Sequence, residues 1–212
     1  MQRVLAVLAL TLIALAFFAL PFLAFAQEPA AALRYRADLT REAQFIFGLD
    51  APVPMLAAQI EQESGWRPGI TAWDNGRGLA QFMDPTAQWV AEKFDDLGQP
   101  EPYNPRWAMR ALVRLDQYNA QRTAGDTACD TWGAGLKAYN AGLGFVQRAR
   151  KRSTAHGQWF GRTELINTGQ SAKNCEYSRL YPRWILLGRQ HKYLRWGRGV
   201  ACPDVISERT AS

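Results

Sequence analysis

Three times in this chain a capping residue stands just ahead of proline at the head of a helix-like stretch: Asp50 before Pro52 and Pro54, Asp84-Pro85, and Asn104-Pro105. Proline fits the first turn of a helix, where its missing N–H would have no partner, and is excluded from helix interiors and central strands. The recurrence predicts three helix starts. These helices run to about Ser64, where Gly65 stops the first, to about Phe94, and to Gln121.

Helical spacing of apolar residues also marks Ala32 to Phe47, Thr131 to Tyr139, Leu143 to Lys151 and Ser178 to Gln190. No run combines sustained alternation with the β-branched content of a sheet, so the expected fold is mainly α. Gly65 to Asp84, which contains GWRPGITAWDNGRG, reads as turns and loop with at most a short β-hairpin. Chemistry often sits on such loops between rigid elements.

The start of the chain bears on its compartment. Met1, Gln2 and Arg3 form a short positive head, Val4 to Leu20 is apolar throughout, and Ala24-Phe25-Ala26 has the small-x-small pattern of a cleavage site, so residues 1–26 read as a secretory signal peptide. The alternative is an uncleaved anchor, since a span needs about 20 apolar residues, and Arg3 would then be held in the cytoplasm. Either reading puts the working domain in the periplasm or cell envelope. Of 212 residues, 27–50 are then a linker and N-terminal helix, 51–192 a single domain, and 193–212 a C-terminal tail.

The net charge is +6, and basic residues crowd the second half, with Arg148, Arg150, Lys151 and Arg152 in one run and further cations from Arg179 to Arg198. A basic face attracts polyanions. For an exported protein the expected partners are anionic envelope polymers or lipid headgroups and not nucleic acid; a merely solvated surface is the other reading. Export permits disulfides, and with three cysteines, Cys129, Cys175 and Cys202, one is left over or pairs with another chain. His156 and His191 show no ligand spacing with them, and no metal is expected.

AAQIEQESGW, Ala57 to Trp66, carries two acids on the first proline-headed helix. At about 100° per residue Val53, Leu56 and Ile60 share a narrow arc, with Glu63 roughly 50° from its centre and Glu61 about 110° away. Glu61 is expected to face water. Glu63 borders the buried stripe in the last turn, where desolvation and the negative end of the helix dipole both raise its pKa. A carboxylic acid that keeps its proton near neutrality can serve as a general acid in glycoside cleavage.

Three short motifs place this acid in context. Glu63-Ser64 at a helix end, Gly78-Leu79-Ala80-Gln81, and Ala138-Tyr139-Asn140-Ala141-Gly142 resemble, in order, the Glu-Ser, Gly-Leu-Met-Gln and Ala-Tyr-Asn-Ala-Gly motifs of the soluble lytic transglycosylase (SLT) family. Tyr181 and the helix after it are similar to the family's terminal tyrosine and helix. The resemblance covers about Val53 to Gln190 and implies a lysozyme-like, goose-type fold as a single domain with a Gly-rich active-site loop.

It also implies a peptidoglycan lyase that needs no cofactor, works as a monomer on glycan strands, and uses Glu63 as catalytic residue. Gln81, Tyr139, Ser64, Asn140 and Tyr181 are the implied substrate-binding or supporting residues, with the Tyr139 hydroxyl beside the glutamate or the sugar. Ala80 departs from the family's methionine, a change expected to reshape a subsite.

In the implied reaction one acid suffices: Glu63 protonates the bond oxygen between N-acetylmuramic acid and N-acetylglucosamine, then deprotonates the sugar's own 6-hydroxyl, which closes a 1,6-anhydro ring. A hydrolytic muramidase would need a second carboxylate to orient water. Asp74 is the candidate for that, although Asp-Asn-Gly is turn chemistry in any case. A non-catalytic wall-binding or assembly protein is the reading from a different class. Trp66, Trp73, Phe82 and Trp89 are candidates for stacking on sugars or for core packing. A Cys129–Cys202 bridge, leaving Cys175 over, is the pairing expected of exported members and would tie the tail to the catalytic half.

Overall fold

The structure, a computed structural model, describes residues 28–203 and 205; the expected signal or anchor segment falls outside the described residues. The helices among them are α1 (Ala30–Leu33), α2 (Arg36–Phe47), α3 (Val53–Ser64), α4 (Asp84–Lys93), α5 (Pro105–Arg122), α6 (Ala128–Ala141), α7 (Leu143–Arg152) and α8 (Ala172–Arg183). Short 3-10 turns lie at Asp95–Leu97 and Thr163–Leu165. After α8 the chain continues as a π-helical segment, Trp184–Arg189, and a 3-10 segment, Gln190–Trp196. The fold is mainly helical, as expected. Among the described residues the only β pairing is two isolated bridges, Thr71 with Arg77 and Arg77 with Phe82, inside the Gly-rich loop.

The centre of the molecule is α3. Every residue from Val53 to Ile60 is buried, as a helix enclosed on all sides requires. It packs on α2, on the π-helical segment and most extensively on Gln190–Trp196. Gly65 ends it in the left-handed conformation, φ 58°, a position where a Cβ would be strained. Around this axis α5 packs between α2 and α6, and α6 also packs against α7 and α8. Among the described residues no helix is long and apolar enough to cross a membrane.

The proline signals hold, with differences in detail. Asn104 caps α5 by accepting from Arg106 N at 3.1 Å, whereas Asp84 is the first residue of α4 and pairs with Arg77 at 2.6 Å. The helix expected from Ala32 to Phe47 is broken at Arg34 and Tyr35, where the Tyr35 ring turns inward and stacks on Trp66 at 6.0 Å. The last helix begins earlier than expected, capped by Ser171. Its regular ladder ends near Pro182, which has no N–H to give, and the chain widens into the π-helical turn.

Among the described residues of the expected tail, Tyr193, Trp196, Val200, Cys202 and Val205 are buried. Tyr193 is fully buried, Trp196 nearly so, and both rings pack on Trp66. Cys129, at the start of α6, is bonded to Cys202, with Cα atoms 5.2 Å apart. Cys175 is free.

Candidate active site

Glu63 occupies the last turn of α3, at the edge of the buried arc. Burial pushes its carboxyl up from 4.5 to about 7; a hydrogen bond from Tyr181 works against that rise, and the charge of Asp74 adds to it. Tyr181, fully buried in the last turn of α8, donates its hydroxyl to Glu63 Oε1. The other oxygen, Oε2, accepts no hydrogen bond among the described residues. An acid with a near-neutral pKa, one oxygen fixed and the other uncommitted can pass a proton in either direction.

The Gly-Leu-Ala-Gln turn stands beside it. Gly78 has φ +71°, and a Cβ there would lie 1.8 Å from the Pro102 carbonyl oxygen, so only glycine fits. Gln81 also has positive φ, 51°, and its side chain closes the turn by donating from Nε2 to Gly78 O at 2.8 Å. This is local strain of the kind that functional loops carry. Tyr139 on α6 donates to the Ala80 carbonyl at 2.7 Å. The intact Ala-Tyr-Asn-Ala-Gly motif thus holds the turn in place, and the hydroxyl on Glu63 belongs to Tyr181. The Ala80 side chain is fully buried, so the missing methionine removes volume from within the structure and not from an open surface.

The remaining expected residues separate. Ser64 is buried and bonds back to Ile60 O at 3.3 Å, serving the helix end. Asn140 is exposed. Of the aromatics, Trp66 and Phe82 are core, Trp89 is partly exposed against Tyr118, and Trp73 is 95 % exposed on the loop. Asp74 is exposed, and its Oδ1 accepts from Gly76 N at 3.3 Å, the turn contact that Asp-Asn-Gly foretells.

The expectation for Glu61 is overturned. Its side chain is only 13 % exposed, it pairs with Lys192 at 2.6 Å, and it accepts from the Tyr193 hydroxyl at 2.7 Å. Helical facing put it off the apolar arc correctly, but facing cannot foresee that the end of the chain folds over that side. The basic residues are engaged unevenly. Arg183 pairs with buried Glu164, Lys192 with Glu61, and Arg150 donates to the carbonyls of Thr123 and Ala124, while Arg148, Lys151 and Arg152 remain exposed on α7.

Two residues near Glu63 escaped the sequence reading. Tyr177, half-exposed one turn before Tyr181, feels the Glu63 charge and packs edge-on to Trp184 at 5.0 Å; its (i, i+4) spacing to Tyr181 was the available signal. Asp116, on α5, is buried and feels the same charge. The available signal was helical facing, since Asp116 stands four residues after Leu112 and seven after Met109, within the apolar arc of α5. Among the described residues no group of three or more His, Cys, Asp or Glu side chains gathers as a metal site would.

No curated protein matches the chain. The family model described as the transglycosylase SLT domain matches residues 47–160, more than half of the chain. The match spans Glu63, Gln81 and Tyr139 and stops short of Tyr181. The chain therefore belongs to the transglycosylase SLT-domain family, with a lysozyme-like catalytic domain of the lytic transglycosylase type that acts on peptidoglycan.

Proposed function

We propose that this protein cleaves the β-1,4 bond between N-acetylmuramic acid and N-acetylglucosamine without water, leaving 1,6-anhydro ends, and that Glu63 is the only acid the reaction needs. The observation that carries this reading is the state of Glu63: a near-neutral pKa with Tyr181 on one oxygen. Glu63 protonates the leaving 4-oxygen of N-acetylglucosamine as the glycosidic bond breaks. The muramic 2-acetamido oxygen stabilises the cation developing at the anomeric carbon, taking the place of an enzyme nucleophile.

Glu63, now ionised, is steadied by the Tyr181 hydroxyl. It then takes the proton of the muramic 6-hydroxyl as that oxygen attacks the anomeric carbon, which returns the enzyme to its starting protonation. Tyr139 contributes by fixing the Gly78–Gln81 turn, and the amide oxygen of Gln81, with Asn140, is available for the sugar. Trp73 and Tyr177, both exposed, offer flat faces to sugar rings. Peptidoglycan as substrate places the domain outside the cytoplasm, and the Cys129–Cys202 bridge fits export. The N-terminal segment then serves as signal or anchor.

Hydrolysis is the second reading, because the Asp74 charge acts on Glu63 and a carboxylate on that side could orient water. Soluble muropeptides released from purified sacculi decide by mass. Anhydro-ended products support the proposal, hydrated reducing ends support the muramidase, and no release supports a wall-binding protein.

A further inference from the structure

Beneath Glu63 lies a second carboxyl in a setting unsuited to a charge. Asp116 is 1 % exposed and Gln59 fully buried, and Gln59 Nε2 donates to Asp116 Oδ1 at 3.4 Å. The two remaining oxygens, Asp116 Oδ2 and Gln59 Oε1, are both buried and have no hydrogen-bond partner among the described residues. Leaving two buried acceptors unpaired is expensive. A proton on Oδ2 turns that oxygen into a donor, and Gln59 Oε1, on the amide already bonded to Oδ1, is the acceptor open to it, which would close an acid–amide ring.

The charges nearby point the same way. The titratable groups that share Asp116's surroundings are Glu63 from α3, Tyr139 from α6 and Tyr181 from α8, none of them a cation. On its own helix Arg110 is committed to Glu42 and Arg114 to Asp96; Lys137 of α6 is held by Gln170 and Ser178. A buried carboxylate with one amide donor and an acid for a neighbour has little to offset its desolvation. Burial accordingly drives the Asp116 carboxyl well above its ordinary value.

We infer that Asp116 is a positioning residue for Glu63: a permanently protonated acid, ringed with the Gln59 amide, that locks the catalytic face of α3 to α5 without placing a second negative charge under the site. Gln59 lies one turn before Glu63 on the same face of α3, so fixing its amide fixes the face from which Glu63 projects. The absence of charge matters because Glu63 has to ionise within the catalytic cycle, and an Asp116 carboxylate would oppose that step. The role rests on the proposed reaction; the proton itself does not.

Two substitutions test it. Asp116→Leu leaves the Gln59 amide unpaired and should lower kcat for glycan release at least tenfold and displace the Glu63 limb of the pH–rate profile. Asp116→Asn rebuilds both hydrogen bonds as an amide–amide ring and should rescue kcat to within a few-fold of wild type. Only the wild type must hold a proton on folding, so the melting temperature of Asp116→Asn minus that of wild type should rise as the pH climbs above the ordinary aspartate range; Glu63 is common to both and largely cancels.

A difference that is flat or falls with pH means that Asp116 is ionised in the fold and overturns the inference, as does failure of asparagine to rescue what leucine loses. The melting series requires no activity, so a protein that releases no glycan would sink the proposed reaction while the proton on Asp116 is still decided. It also decides the matter should the leucine variant not fold.

Discussion

Replacing Glu63 by glutamine should abolish glycan release and, at neutral pH, stabilise the protein. The carboxyl titrates at 4.5 unperturbed and at about 7 in the fold, so between those values the unfolded chain sheds a proton that the native state keeps. The unfolded state therefore binds fewer protons, and stability falls as pH rises through that window, at about 1.4 kcal/mol per pH unit. Across two and a half units, with the native group half-ionised at pH 7, the cost amounts to about 3 kcal/mol. Glutamine does not titrate and still accepts from Tyr181 through its carbonyl oxygen, as the protonated acid does. The net gain is about 3 kcal/mol, or a rise in melting temperature of roughly 6–12 °C at pH 7 for a domain of this size. Below about pH 4.5 the gain vanishes, because both states then carry the proton. Thermal melts of the two proteins across pH 4 to pH 8, alongside muropeptide release, measure both halves of the prediction. A glutamine variant no more stable than wild type at pH 7, or a difference independent of pH, would refute the account of how Glu63 keeps its proton.

Tyr181→Phe removes the hydrogen bond that favours ionised Glu63, so the basic limb of the pH–rate profile should move upward while kcat falls roughly tenfold to a hundredfold from lost alignment; an unmoved limb would contradict the assigned contact. Glu61→Leu strands Lys192 and the Tyr193 hydroxyl and should cost about 2–4 kcal/mol in denaturant unfolding; a neutral effect would restore the reading of Glu61 as a solvated charge. Gly78→Ala drives a methyl into the Pro102 carbonyl at a positive φ and should lose more than about 3 kcal/mol or fail to yield folded protein, as soluble expression and circular dichroism would show. Cys202→Ser opens a loop of 73 residues' separation and should lower stability by about 2–4 kcal/mol, with wild type under reducing conditions behaving the same way.

The helical frame was legible because proline, glycine and capping residues act locally. Pro85, Pro105 and Gly65 work within a turn of where they stand, and the predicted ends of α3, α4 and α5 fall within a residue or two of the observed ones. Glu63 was legible for a similar reason, since its angle from the apolar arc and its place in the last turn are properties of one helix. What escaped depended on distant chain segments. Glu61 changed from solvated to paired and largely covered because Lys192 and Tyr193 return from a distant part of the chain, and no pattern in α3 encodes that return. The division of labour between the two tyrosines was hidden likewise: the Ala-Tyr-Asn-Ala-Gly motif pointed to Tyr139 beside the glutamate or the sugar, and the hydroxyl bonded to Glu63 is that of Tyr181, on a helix that Ser171 caps and Pro182 interrupts. The Cys129–Cys202 pairing was an expectation carried by family resemblance and is present in the fold.

Digestion of purified sacculi in heavy-oxygen water tests the central claim most directly, because the two chemistries differ in the origin of one oxygen atom. If Glu63 activates the sugar's own 6-hydroxyl, the released muropeptides end in anhydro rings, carry no heavy oxygen, and disappear with Glu63→Gln. Reducing-end muramic acid labelled with heavy oxygen would contradict the account and move the second catalytic role to a carboxylate that orients water, with Asp74 the first to substitute.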